Sequence, residues 1–302
     1  MRQPPQFIQL KNRGLLFITG PDKVKYLQGL VSNDVEKVTR DKSVYAALLN
    51  PQGKFLYDFF IFEYGNSLIL DCERDQLEGL QKRLFLYKLR ADVTLADQSE
   101  KWQVSALIGD TDTLKQKFPR DLGSVIAYGD GLICADPRLA EIGWRCIMPI
   151  SDSKKILVKL GFSQAKPCVY DNLRLKLGLP DGNRDLIFEK SILLESGFSE
   201  LNGVDWNKGC FIGQELTART KYRGLIKKRL IPVSFNGPPP EAGTPIYSKD
   251  KNAGEVRSSL ANDFGGIGLA LIRLEALSNS ADLLSEGVTV TPSRPHWMLD
   301  EL

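Results

Sequence analysis

One stretch of the 302-residue chain carries residue types able to do covalent or metal chemistry: Lys208-Gly209-Cys210-Phe211-Ile212-Gly213-Gln214-Glu215. Two glycines bracket a cysteine and an apolar pair, a composition that permits tight turns and close approach of a ligand to the backbone. Lys208 stands two positions from Cys210, and a neighbouring ammonium favours the thiolate, which is the nucleophilic and metal-binding form of cysteine. If a helix begins near Glu215, as Leu216 to Arg219 suggests, Cys210 also lies near a positive dipole end, and both effects lower its pKa. The bland alternative is a buried cysteine in a glycine-rich turn. Gln214 and Glu215 are suited to bonding the loop backbone or a ligand, and Glu215 equally to a helix start.

The other ionisable groups offer little of the same kind. Cysteines stand at 72, 134, 146, 168 and 210, with no CxxC pair, and the one histidine is His296. A stable zinc or cluster site would need ligands gathered from distant segments, so no stably bound metal is expected. Cys72, Cys134 and Cys146 sit in apolar stretches and read as small buried hydrophobes. From Lys208 to Arg229 there are seven basic residues (208, 219, 221, 223, 227, 228 and 229) against one acidic, Glu215. Such a run is usually a solvated face. Arg219 and Arg223 are the members best suited to pair with a carboxylate.

The elements that must position these residues read as an α+β chain. Gly20-Pro21-Asp22 opens a helix bearing Val24, Leu27, Leu30 and Val31 on one face. Strands follow at Ser43–Leu49, Phe55–Tyr64 and Ser67–Cys72, divided by the turns at Asn50–Gly53 and Gly65-Asn66. Asp75 and Glu78 form a capping-box-like start to a helix with Leu77, Leu80 and Leu84. Strands at Ala91–Leu95, Trp102–Ile108, Ser124–Tyr128, Leu132–Ala135 and Trp144–Pro149 are expected, with a short helix from Asp112 to Phe118 and helices at Ser151–Leu160 and from Pro167. Around the Pro-rich loop 236–243 come five short strands, Arg229–Phe235, Thr244–Tyr247, Gly254–Ser259, Gly266–Ile272 and Val288–Thr291, which suggest a small C-terminal β-barrel. Trp297 is expected to dock on it.

A chain of this length exceeds the roughly 250 residues at which single cores stop growing. The division is read as 1–150, 151–227 carrying the cysteine motif, and 228–302 for the barrel. The composition, 42% hydrophobic and 25% charged, is that of a globular protein. A net charge of +3 argues against a surface built wholly for nucleic acid. Nothing approaches the about 18 uncharged apolar residues of a membrane span. Met1 to Lys11 has neither a signal-peptide nor a transit-peptide pattern, so the expected location is cytoplasmic.

The stretch KGCFIGQE, followed by Ala218-Arg219 and Tyr222-Arg223-Gly224, resembles the KGC[YF]xGQE signature of the YgfZ family. YLQGLVSNDV (26–35), LLNPQGKFLYDFFI (48–61), LRLKLGLPDGNRDL (173–186) and GEVRSSL (254–260) match the same pattern in order. That family includes mitochondrial iron–sulfur assembly factors acting late, in making four-iron clusters, and is related to the glycine-cleavage T-protein. The resemblance implies a T-protein-like three-domain ring of mostly antiparallel sheets with a C-terminal barrel. It implies tetrahydrofolate or a derivative as cofactor, iron–sulfur client enzymes as partners, and Cys210 as the functional residue, with Lys208, Gly209, Gly213, Gln214, Glu215, Arg219 and Arg223 around it.

The T-protein's paired aspartates correspond to Tyr57 and Asp58 here, so one of the pair is lost. Glu141, before Gly143-Trp144, lies roughly where the T-protein has a folate-binding glutamate. Two further readings stand beside the accessory factor: a folate-dependent aminomethyltransferase like the T-protein, and a module binding tRNA or a tRNA-modifying partner. The first is disfavoured by Tyr57 and the second by the modest charge.

Overall fold

The structure is a computed structural model and describes residues 4–110, 118–224, 226–277 and 282–299. In chain order the elements are β1 (Gln6–Gln9), β2 (Arg13–Thr19), α1 (Lys23–Gln28), β3 (Val44–Leu49), β4 (Phe55–Tyr64), β5 (Ser67–Glu73), α2 (Leu77–Leu86), β6 (Thr94–Asp97), β7 (Trp102–Ile108), β8 (Val125–Tyr128), β9 (Gly131–Ala135) and β10 (Trp144–Pro149). There follow α3 (Ile150–Lys159), β11 (Ser163–Gln164), α4 (Pro167–Leu177), α5 (Gly182–Asp185), α6 (Gln214–Tyr222), β12 (Lys228–Phe235), β13 (Pro245–Ser248), β14 (Lys251–Asn262), β15 (Gly265–Arg273), α7 (Leu274–Leu277), β16 (Leu283–Ser285) and β17 (Val288–Pro292). The chain is α+β with mostly antiparallel pairing, as expected. The helix expected at Asp112–Phe118 falls largely on 111–117, outside the described residues.

The chain divides into two compact units built from interleaved segments. The first is Met1–Leu49, Leu56–Tyr170 and Asn202–Ile212; the second is Asn50–Phe55, Asp171–Leu201 and Gly213–Leu302. The first unit holds a five-stranded sheet in the order β3-β4-β5-β2-β6 and a six-stranded sheet in the order β11-β1-β7-β10-β9-β8. In the first sheet the period of two along each strand sorts the side chains. Leu16 and Ile18 of β2, Tyr57, Phe59 and Ile61 of β4, and Leu68, Leu70 and Cys72 of β5 join Leu77, Leu80 and Leu84 of α2 in one apolar core. The alternate positions, Arg13, Asp58, Phe60, Asp71 and Glu73, are buried as well, and all but Phe60 carry charge.

The second unit contains a closed barrel in the order β12-β15-β14-β13-β16-β17. Ile231, Val233, Phe235, Val256, Ala270, Ile272 and Val290 fill it, and Trp297 packs against this core while its indole N–H donates to the Leu177 carbonyl at 2.7 Å. The Pro-rich loop joins β12 to β13, inside the barrel as expected. Six strands close it where five were read; β16 is only three residues long.

Three further local expectations are corrected. The sequence reading omitted β1 and β2. Helix α1 begins at Lys23, with Pro21 ahead of it. No capping box forms at Asp75, because Arg74–Gln76 makes a 3₁₀ turn first and Glu78 pairs instead with Lys82 at 2.6 Å, one turn on.

Candidate functional site

The cysteine motif crosses from one unit to the other: Lys208 to Ile212 belong to the first, Gly213 onward to the second. In the first unit the loop 202–212 is stitched to the segment that follows α1. The Ser32 hydroxyl donates to the Gly203 carbonyl at 2.6 Å, and the Asn33 amide donates to the Asn202 and Tyr45 carbonyls, each at 2.7 Å. The backbone N–H of Asp205 donates to Ser32 O at 3.1 Å and that of Ile212 to Gly29 O at 3.3 Å. Lys37 pairs with Asp205. The family-like piece at 26–35 is therefore the platform on which the cysteine loop rests.

Lys208 is the peg of that joint. Its ammonium donates to the carbonyls of Gln28 at 2.8 Å, Val31 at 2.6 Å and Asn33 at 2.7 Å. An ammonium has three protons, so none remains to donate to Cys210. What these bonds give Lys208 is a positioning role for the loop that carries Cys210. Burial pulls its pKa down to about 8, against Asp34, Asp205 and Glu36, which favour the charged form. Lys208 also lies over the Phe211 ring, 5.3 Å from its centroid.

Cys210 itself is exposed. A Cβ placed on the neighbouring Gly209 would meet nothing within 4 Å. Gly213 has φ +80° and caps α6, a left-handed conformation that favours glycine. Gln214 and Glu215 form the first turn of α6, with Glu215 exposed, and Arg219 and Arg223 at its far end are exposed too. The Thr217 hydroxyl donates back to the Gly213 carbonyl at 3.2 Å. The basic run is not one solvated face, because Lys208 and Arg229 are buried and committed.

Cys72, Cys134 and Cys146 are buried as expected. Burial raises all three thiols, Cys134 to about 12 even though Ser43 bonds its sulfur. Cys168 is exposed near the start of α4.

Asp58 lies in a different setting, on the charged face of β4. The Tyr45 hydroxyl donates to its Oδ2 at 2.8 Å. Around it runs an ion network joining the two sheets of the first unit. Arg13 Nε donates to Asp71 Oδ1 at 2.7 Å and its Nη1 to Glu73 at 2.8 Å. Arg145 Nη1 donates to Asp71 Oδ2 at 2.6 Å, and Arg138 grips Asp136 with two N–H groups at 3.0 and 2.9 Å. Phe60 stands among the three guanidinium groups, with Arg145 3.6 Å from its centroid. Burial alone would raise Asp136, but Arg138 and Arg145 outweigh it and hold the carboxyl below its usual range.

Sequence reasoning found Asp58 but missed its neighbours. The available signal was the alternation of Asp58 and Phe60 with Tyr57, Phe59 and Ile61 along β4, a charge on one face of a strand that is apolar on both.

Tyr57 points the other way, into the apolar core, where its hydroxyl lies 2.7 Å from the position a Cβ on Gly79 would take. Tyr57 thus fills space on the helix-covered face of the sheet. Glu141 sits exposed on the 3₁₀ turn Ala140–Ile142, ahead of Gly143 at φ +88°. In the second unit the other family-like pieces meet: Arg174 donates to Asp185 at 2.8 Å and to Ser258 at 3.2 Å, and Ser258 donates to Asp185 at 2.5 Å.

Residues 227–300 match the family described as CAF17, C-terminal beta-barrel domain. The glycine cleavage system aminomethyltransferase T from Bartonella henselae has a similar structure, with a TM-score of 0.79 over 98% of this chain and 87% of that one. At 15% identity this likeness establishes the fold. The iron-sulfur cluster assembly factor IBA57, mitochondrial, of Mus musculus is 33% identical over 96% of this chain and 84% of its own length. Its Homo sapiens counterpart is 32% identical with the same coverage. The homolog in Coccidioides immitis is 30% identical over 96% and 76%. All three are named as mitochondrial proteins, which overturns the cytoplasmic expectation drawn from the first eleven residues. Coverage and identity at this level place the chain in the family of the iron–sulfur cluster assembly factor IBA57.

Proposed function

We propose that this chain supports the assembly or repair of iron–sulfur clusters in client enzymes, with Cys210 as the group that touches the cluster or its sulfur chemistry. The observation that carries the reading is the state of Cys210: an exposed thiol on a loop pegged by Lys208, while three of the other cysteines are buried with raised pKa values. A thiolate is an iron ligand and a redox group. Among the described residues no three His, Cys, Asp or Glu side chains gather as metal donors, so a cluster here is cargo shared with a partner. The test is the rate at which a purified apo-client gains a four-iron cluster. Cys210→Ser should reduce that rate to the level without the factor; an unchanged rate would remove the thiol from the account.

A reduced folate is the ligand we assign to the chain, and its role is that of a one-carbon carrier. The donor type fits within the first unit: Glu141, on an exposed turn, carries a carboxylate of the kind that pairs with pterin N–H groups. Asp58 is buried and accepts the Tyr45 hydroxyl, so its part is to hold Tyr45 in place. Aminomethyl transfer is not assigned, because the second acidic position is Tyr57 on the core face. Calorimetric titration with tetrahydrofolate should give binding that Glu141→Gln weakens about tenfold or more and Cys210→Ser leaves intact. No heat with any reduced folate would refute the cofactor.

A further inference from the structure

Helix α2 and the turn after it run Gln81-Lys82-Arg83-Leu84-Phe85-Leu86-Tyr87-Lys88-Leu89-Arg90-Ala91, with four basic residues and no acidic one. The fold uses only part of the apolar content of this run. Leu84 is buried in the core beneath the five-stranded sheet, and Tyr87 packs partly against that core. Phe85, Leu86 and Leu89 do not join it and are 63%, 68% and 89% exposed.

These residues share one tip of the first unit. The Lys88 backbone N–H donates to the Phe85 carbonyl at 3.1 Å and the Ala91 N–H to the Lys88 carbonyl at 2.8 Å. The Lys88 ammonium stands 6.0 Å from the centroid of the Phe85 ring. The tip is also held from below by the segment of α1. The Tyr26 hydroxyl donates to the Leu84 carbonyl, and the Asp92 backbone N–H donates to the Asp22 carboxylate at 2.8 Å. Leu89 has φ +45°, a left-handed conformation that suits glycine or asparagine and penalises leucine. In that strained position its side chain stands in water and packs nothing, so what it offers is offered to something outside the chain.

Size and charge decide what that is. The three side chains present about 400 Å² at roughly 200 Å² for each when fully exposed, a patch large enough to mark an interaction site. It is half of the roughly 800 Å² that each partner gives to a standard protein interface. A second copy of the chain would bring the same cations against this tip. The occupant that fits is anionic and takes up apolar side chains without a wide complementary surface. An anionic bilayer does this, its hydrocarbon receiving the phenylalanine and leucines while its headgroups attract the lysines and arginines. This is attachment to a surface, since among the described residues no helix is long and apolar enough to cross a membrane.

We propose that the tip formed by Phe85, Leu86 and Leu89, with Lys88 and Arg90 on either side of Leu89, binds the surface of an anionic lipid bilayer. The test is co-sedimentation of the full chain with vesicles of phosphatidylcholine and phosphatidylserine in equal amounts, and with vesicles of phosphatidylcholine alone. The mixed vesicles should carry the protein down, less so as salt is raised, and the neutral ones should not. Leu86→Asp combined with Leu89→Asp, both at exposed positions, should abolish the binding. Lys88→Gln combined with Arg90→Gln should weaken it about tenfold or more, at about fivefold for each charge. Leu89→Asn should weaken it while leaving the melting temperature unchanged or raised; a lowered melt would make Leu89 a residue of the fold and count against the proposal. Cys210→Ser should sediment as wild type does, so this surface and the cysteine reading stand or fall separately. No sedimentation with the mixed vesicles would overturn the proposal. Equal sedimentation of wild type and the double aspartate variant would overturn it too, leaving charge alone as the cause and pointing to an acidic protein as the partner.

Discussion

A lysine ammonium has three protons to give, and Lys208 gives all of them to backbone carbonyls at 2.6–2.8 Å. Lys208→Met should therefore leave three acceptors short and cost about 2 to 4 kcal/mol, read from urea midpoints. The pH dependence follows from the same burial. Lys208 is held down to about 8 in the fold, against about 10.4 for a lysine in the unfolded chain. Between those values the unfolded chain binds more protons, so this group makes stability rise with pH across that window. Wild type should gain on Lys208→Met between pH 8 and 10, and parallel profiles would contradict the assignment. At this scale the sequence singles out a cysteine loop but not the contacts that hold it. Cys210 and its glycines are legible because local composition defines them. The peg is not, because its acceptors are 175 to 180 positions away. The ionic interior around Phe60 is hidden for the same reason: Arg13 and Arg145 reach Asp71 across 58 and 74 positions.

Helix α6 carries the motif's second half, and a turn far upstream braces its start. Gly53, at φ +71°, leaves no room for a Cβ, which would stand 2.6 Å from Leu216 Cβ and 2.9 Å from the Gly213 carbonyl. Gly53→Ala thus combines backbone strain with a backbone clash. It should cost about 1 to 3 kcal/mol and lower the melting temperature, whereas an unshifted melt would mean the turn does not brace the helix. Elements with a strong local signature were readable: β4, β7 and β10 lie where the aromatic and β-branched runs put them. Those that failed have physical reasons. β1 is four residues long, and the face of β2 opposite Leu16 and Ile18 is buried yet carries Arg13 where an apolar residue would signal burial. β16 has three residues, below what alternation can reveal. At Asp75 the local capping signal lost to a 3₁₀ turn continuing from β5.

For the molecule as a whole, the α+β class and the closed barrel were evident from the order of strands and turns. The interleaving of the two units was not, since chain segments return to each unit without any shift in composition. The location inferred from the N-terminus was wrong, and relatives spanning 96% of the chain corrected it. Those relatives make iron–sulfur assembly the setting in which Cys210 has to be judged. Cys168 supplies the internal control, being the other exposed thiol among the described residues. The measurement is the activity of a four-iron client enzyme in cells whose own assembly factor has been removed and replaced by Cys168→Ser or Cys210→Ser. The expected result is full activity with Cys168→Ser and none above background with Cys210→Ser, both proteins being present at wild-type levels. Rescue by Cys210→Ser, or equal failure of the two, would contradict the claim that this thiol is where the protein acts.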